Sequence, residues 1–128
     1  MAELLLDTRA LLWWVSDHPR LSSTAREAID SADQVWVSSA TAWEIATKTR
    51  IGKLSTKPDL SKSFSEIVSA YGFRTLDITC QHAQRAAGYP HDHKDPFDRM
   101  LAAQAHLEAM TLVTLDPVFD RFDVDTLW

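Results

Sequence analysis

A single cysteine, Cys80, stands among 128 residues, so no intrachain disulfide can form and a cysteine-based zinc site is excluded. No apolar run approaches the roughly 20 residues that a membrane-spanning helix needs. The opening Met-Ala-Glu-Leu-Leu-Leu-Asp has no basic region and meets an acid too early for a secretory leader. Internal repeats, low-complexity tracts and linker-like stretches are lacking as well. These absences predict a cytoplasmic protein with no membrane partner, folded as one domain over residues 1–128.

Positive charge is scarce. There are 13 Lys+Arg against 18 Asp+Glu, a formal charge of −5. Taken alone, this argues against a nucleic-acid partner, because phosphate binding calls for a basic surface. The argument weakens if several acids converge on metal ions, since setting four aside brings the two signs near balance. With 45% hydrophobic and 24% charged residues, the chain has the composition of a folded domain and not of a disordered one.

Leu4-Leu5-Leu6 is a short apolar run ending at Asp7, the pattern of a strand buried on both faces. A helix is expected from Thr8 to about Ser16, and a second from a Ser22–Ser23 cap through Ile29. Gln34 to Val37 reads as a strand, followed by a helix capped by Ser38 or Ser39 that fades near Gly52. Further on, Phe64 to Tyr71 reads as a helix, Phe73 to Leu76 as a short strand, and another helix begins near Thr79. After a loop from Gly88 to Lys94, Asp95-Pro96-Phe97-Asp98 starts a helix with proline at its first position. Thr111 to Leu115 completes the pattern as a strand ending at Asp116. Strands alternating with helices indicate an α/β fold with a parallel sheet.

Four acids stand out. Asp7 and Asp116 each follow a strand, where open α/β sheets bind ligands. Each also has a plain structural reading, Asp7 as the cap of the helix at Thr8 and Asp116 as the cap of the turn at Pro117. Asp95 and Asp98 share a face at a helix start. Asp95 suits the cap, and Asp98 suits the third position beside the helix dipole or a place in the site. Glu44 lies in the run Ala42-Trp43-Glu44-Ile45-Ala46, where a carboxylate is costly unless paired or metal-bound. An i,i+4 pair with Lys48 is the structural reading there. Crowded carboxylates raise one another's pKa, a penalty that divalent cations remove, and all-oxygen ligation suits Mg²⁺ or Mn²⁺. With no convincing side-chain nucleophile elsewhere, the conjunction points to metal-assisted phosphodiester hydrolysis.

The pieces Leu5-Leu6-Asp7-Thr8, Ser38-Ser39-Ala40-Thr41-Ala42-Trp43-Glu44-Ile45-Ala46, Lys48, Gly52-Lys53-Leu54, Asp95-Pro96-Phe97-Asp98-Arg99-Met100-Leu101-Ala102-Ala103-Gln104-Ala105 and Leu112-Val113-Thr114-Leu115-Asp116 occur in one order across nearly the whole chain. In this the sequence resembles PIN-domain ribonucleases, specifically the VapC-type toxins of bacterial toxin–antitoxin pairs. The resemblance implies a three-layer α/β/α sandwich with a mainly parallel central sheet, Mg²⁺-dependent endoribonuclease activity, and inhibition by a cognate antitoxin. It implies a homodimer too, and makes Asp7, Glu44, Asp98 and Asp116 the metal-binding acids, with Asp95 joining through water.

Around these acids, Thr8, Ser39 and Thr114 are candidates for orienting carboxylates or water, with ordinary capping an equal reading. Arg9, Lys48, Arg50, Lys53 and Arg99 are candidates for RNA phosphate contacts, against a solvated helix face or, for Arg99, a structural salt bridge. Adjacent Trp13 and Trp14 cannot point the same way on a helix, so one is expected in the core and the other in a partner groove. Trp36 and Trp43 are expected to pack in the core. His82, His91, His93 and His106 show no metal-ligand spacing, although His91 and His93 stand close to the Asp95 helix. The alternative function is a non-catalytic binding protein whose acidic pocket only receives a partner's arginine. A phosphoacceptor signalling domain would want clustered acids after the first strand and a late lysine, yet no lysine follows Lys94. A dehalogenase-like phosphatase would want Asp-x-Asp, and Arg9 holds that second place.

Overall fold

Apolar side chains on both faces of the central strands decide how the molecule is layered. The computed structural model describes residues 3–128. Strand β1 (Glu3–Leu6) is followed by helices α1 (Thr8–Val15) and α2 (Ser23–Ser31), then β2 (Gln34–Ser38), α3 (Ser39–Arg50) and α4 (Phe64–Ala70). The second half comprises β3 (Arg74–Leu76), α5 (Cys80–Gly88), α6 (Pro96–Leu107), β4 (Thr111–Val113), a 3₁₀ turn (Pro117–Arg121) and β5 (Thr126–Leu127). All five strands run parallel, in the order β3-β2-β1-β4-β5.

Leu4, Leu6, Val35, Val37 and Val113 point to one face and pack with Leu11 of α1, Ile29 of α2, Ile45 of α3 and Val68 of α4. Leu5 and Leu112 point to the other, onto Leu101, Ala102 and Ala105 of α6 and Phe119 of the 3₁₀ turn. Helices on both faces of a parallel sheet make the expected α/β/α sandwich. Side-chain caps start several helices. Ser22 Oγ accepts from Ala25 N (3.0 Å) and Ser38 Oγ from Ala40 N (2.9 Å). Asp95 Oδ1 accepts from the N–H groups of Phe97 and Asp98 (2.8 and 3.2 Å), with Pro96 at the first helical position. Among the described residues, no helix is long and apolar enough to cross a membrane.

Three expectations need correction. β4 stops at Val113 and not Leu115, because beyond Thr114 the backbone turns into the 3₁₀ segment that Asp116 caps. Edge strand β5 is unforeseen: two residues are too few to show alternation. Trp43 is 58% exposed and not in the core, since α3 buries Ala40, Thr41, Glu44 and Ile45 on its opposite side.

The order of the strands also places the site. From β1 the chain moves outward through β2 to β3, then returns through α5 and α6 to β4 on the other side of β1. The connections therefore diverge between β1 and β4 and open a crevice beyond the carboxyl ends of these two strands.

Leu5 is fully buried in the central strand, opposite Trp36 on one side and Leu112 on the other. Leu5→Ala is expected to lower unfolding free energy by about 2–5 kcal/mol through lost burial and a cavity. In a urea titration this would appear as an earlier midpoint with an unchanged slope; an unshifted midpoint would contradict the packing described.

Candidate active site

The crevice at the β1–β4 divergence is a cleft of about 290 Å³ whose lining includes Asp7, Glu44, Asp98 and Asp116 together with Asp95. Residues separated by more than 100 positions meet there because β1 and β4 pair directly, Leu6 beside Val113. Thr8, Arg9, Lys48 and Trp13 complete much of its rim.

Each carboxylate is held by a protein group. Asp7 Oδ1 accepts from Ala10 N at 2.7 Å and so caps α1, while its Oδ2 accepts from the Thr114 hydroxyl at 2.6 Å. Capping and placement in the cleft are therefore the same fact for Asp7. Thr114 Oγ1 in turn accepts from the backbone N–H of Asp116 at 3.1 Å, tying the two acids through one hydroxyl. Asp116 Oδ1 accepts from Val118 N at 3.0 Å. Glu44, 9% exposed, receives the Thr8 hydroxyl on Oε1 at 2.6 Å and the Lys48 ammonium on Oε2 at 2.5 Å. Thr8 Oγ1 lies 3.2 Å from Thr41 Oγ1, a buried polar partner with no recognisable mark in the sequence. Asp98 Oδ2 lies 2.9 Å from His93 Nε2.

Burial governs the protonation of two of these acids. Asp7, 8% exposed, is pushed above its ordinary value by desolvation, with Asp116 acting the same way. The Thr114 and Ala10 hydrogen bonds and the charge of Arg9 pull in the opposite direction. Burial also drives the Asp98 carboxyl up to about 6; the hydrogen bond from His93 opposes the rise, and Asp95 and Asp116 add to it. Carboxyls that resist ionisation in a shared cleft would be relieved of that penalty by a divalent cation with all-oxygen ligation. The donor set, four carboxylates with hydroxyl support, fits Mg²⁺ or Mn²⁺. Among the described residues no three acids already converge at ligand spacing.

The supporting residues divide. Thr8 and Thr114 touch the acids, as expected. Ser39 does not: its Oγ donates to Asp77 at 3.4 Å, and the buried Ser38 is the helix cap. Arg9 and Lys48 line the cleft, whereas Arg50 and Lys53 lie exposed at the C-terminal end of α3, outside the lining. Arg99 is no phosphate ligand. Its guanidinium donates to five backbone carbonyls, those of Ala86, Ala87, Tyr89, His91 and His93, which consumes every N–H it has. Trp13 faces the cleft rim, with Arg20 and Arg9 over its ring, while Trp14 turns inward to Phe73. Of the histidines, His82 is buried against Glu108, His91 stacks on Tyr89 and meets Phe122 edge to face, and His106 meets the Asp123 carbonyl. His93 alone among them reaches an acid of the cleft, a contact foreshadowed in the sequence only by its closeness to the Asp95 helix.

Comparison with known proteins agrees with this fold. The family model described as PIN domain matches residues 4–125. The chain is 30% identical over 117 residues to Ribonuclease VapC22 of Mycobacterium tuberculosis, covering 91% of this chain and 88% of that one. Its fold matches that of a chain in VapBC2 from Rickettsia felis bound to a promoter DNA fragment, with a TM-score of 0.69 at 17% identity over 98% of both chains. DNA-bound VapBC from Salmonella typhimurium gives the same TM-score at 20% identity, over 99% and 98% of the two chains.

The raised pKa of Asp98 has a consequence for stability in the absence of divalent ions. The ordinary value is 3.8 and the folded value about 6, so between these values the folded chain binds more protons than the unfolded one. Stability must then fall as pH rises through that window. Asp98→Asn, which cannot ionise, is expected to exceed the parent by about 1–3 kcal/mol at pH 7, with the gap closing toward pH 4. Urea titrations across this range test it; a variant less stable than the parent at pH 7 would refute the burial argument.

Proposed function

We propose that this chain, which belongs to the PIN-domain family and is of VapC type, is a divalent-metal-dependent endoribonuclease toxin restrained by a cognate antitoxin. The observation that carries the reading is the meeting of Asp7, Glu44, Asp98 and Asp116 in one cleft at the strand divergence. Its relative in Mycobacterium tuberculosis is named a ribonuclease. Bound in the cleft, Mg²⁺ or Mn²⁺ supplies charge neutralisation and water activation at neutral pH.

The protein's own part is to hold and to orient. Asp7 and Asp116 are fixed as a pair through Thr114, and Glu44 is fixed by Thr8 and Lys48. Arg9 and Lys48 at the rim offset the acidity of the cleft toward an approaching phosphodiester, which answers the objection raised by a net charge of −5. The antitoxin reading draws support from structural neighbours that are VapBC complexes. Trp13, Leu12, Leu54 and Leu60 border an apolar groove that opens beside the acidic cleft and suits a partner segment. Homodimerisation draws support from a second apolar groove lined by Ala40, Trp43, Ile78, Phe97 and Met100, where the exposed Trp43 meets Phe97 edge to face.

Incubation of the purified chain with end-labelled RNA and Mg²⁺ should give cleavage that excess EDTA stops and added Mn²⁺ restores. Asp7→Asn and Asp116→Asn should each lower the cleavage rate at least about a hundredfold, the scale of losing several kcal/mol of transition-state stabilisation. RNA left intact by the parent in Mg²⁺, or cleavage undiminished in EDTA, would end the metal-nuclease reading.

A further inference from the structure

Three of the four acids in the cleft are held by helix residues, the 3₁₀ turn or the residue directly after β4: Asp7 by Ala10 N and Thr114, Asp116 by Val118 N, and Glu44 by Thr8 and Lys48. Asp98 differs. Among the described residues the one hydrogen bond to its carboxylate comes from a loop, through His93 Nε2 at 2.9 Å. Resting on the metal-site reading above, we propose that His93 is the positioning residue of Asp98, setting the rotation of that carboxylate so that a divalent ion meets it in one orientation.

The loop is built to hold this ring in place. Arg99, next to Asp98 on α6, clamps the chain from Ala86 to His93 by five hydrogen bonds, and the last of them, from Nη1 to the His93 carbonyl, measures 2.8 Å. The residue that carries the acid is thus covalently joined to the residue that anchors its partner. The His93 ring also stands edge-on to Phe122, with centroids 6.0 Å apart, and Phe122 packs on His91 and Tyr89. Backbone clamp and ring packing together leave the imidazole little freedom, so its N–H is pre-aimed at Asp98 Oδ2. The bond requires the tautomer with hydrogen on Nε2, the one that lets an ionised carboxylate accept. Partners of this kind, one step out from a metal, fix ligand orientation and commonly govern affinity.

Calorimetric titration of the full chain with Mn²⁺ tests the proposal, using His93→Ala, His93→Asn and His93→Gln. Asn and Gln carry the same amide but differ in reach, and only the longer one can place an N–H near the position of Nε2. The Ala and Asn variants are expected to bind Mn²⁺ roughly 10–100-fold more weakly, with the Gln variant close to the parent. RNA cleavage should follow: reduced in the Ala and Asn variants at limiting Mn²⁺ and recovered at excess. A cooperative urea transition establishes that each variant is folded, and if the Ala variant fails this, the Asn–Gln comparison decides. Parent-like affinity in His93→Asn, or a loss in His93→Gln as large as in His93→Asn, overturns the positioning role while leaving the nuclease reading intact. If the parent binds no Mn²⁺, or Asp98→Asn binds it as well as the parent, the metal site itself is wrong and the role of His93 falls with it.

Discussion

The cost of gathering carboxylates in one partly desolvated cleft, burial first and mutual repulsion second, is the constraint around which this molecule is arranged. A parallel sheet answers it through its connections, because where strands end, helices begin, and helix N-termini present unpaired N–H groups and partial positive charge. Asp7 caps α1, Asp116 caps the 3₁₀ turn, and Asp98 occupies the first turn of α6 behind the Asp95 cap. Glu44 stands apart. It lies in the body of α3 and accepts no backbone N–H; the hydroxyl of Thr8, at the start of α1, and a full cation, Lys48, hold it instead. The fold thus gives each carboxylate a local donor or source of positive potential.

The same economy of charge explains the loop beside α6. An arginine adjacent to the acid cluster would be expected to neutralise it, yet the guanidinium of Arg99 turns away into backbone carbonyls. Its service is geometric: it ties the end of α5 and the loop after it to α6, the loop whose His93 meets Asp98. At the opposite rim Trp13 is packed between His18, stacked at 5.0 Å, and the guanidinium groups of Arg20 and Arg9. That rim is cationic and ordered, which gives the acidic cleft a positive border on the side where Arg9 lies.

Much of this is written in local sequence. The apolar run before Asp7, the Asp95-Pro96 start and the serine at position 38 are local instructions, read directly because capping and strand burial depend on neighbours in the chain. Asp7, Asp98 and Asp116 are legible from their positions after strands and at a helix start, and Glu44 from the apolar run around it. What was not legible depends on pairs distant in sequence. No pattern marks Thr41 as the neighbour of Thr8, and none shows that Arg99 would spend its donors on carbonyls. Trp43 departs from the expectation because apolar composition around Glu44 does not mean burial on every side of α3, and the helix turns its tryptophan outward. The choice between Ser38 and Ser39 as cap lay within one residue, a resolution that only the backbone supplies.

The hydrogen bond from Thr114 to Asp7 spans 107 positions. A chain emerging from the ribosome exposes Asp7 and Glu44 early, but it cannot complete the acidic cleft until β4 has slotted in beside β1. Truncated or half-made copies therefore lack Asp116 and the hydroxyl that steadies Asp7. Until β4 is made and docked, an unfinished chain carries only part of the acidic cleft.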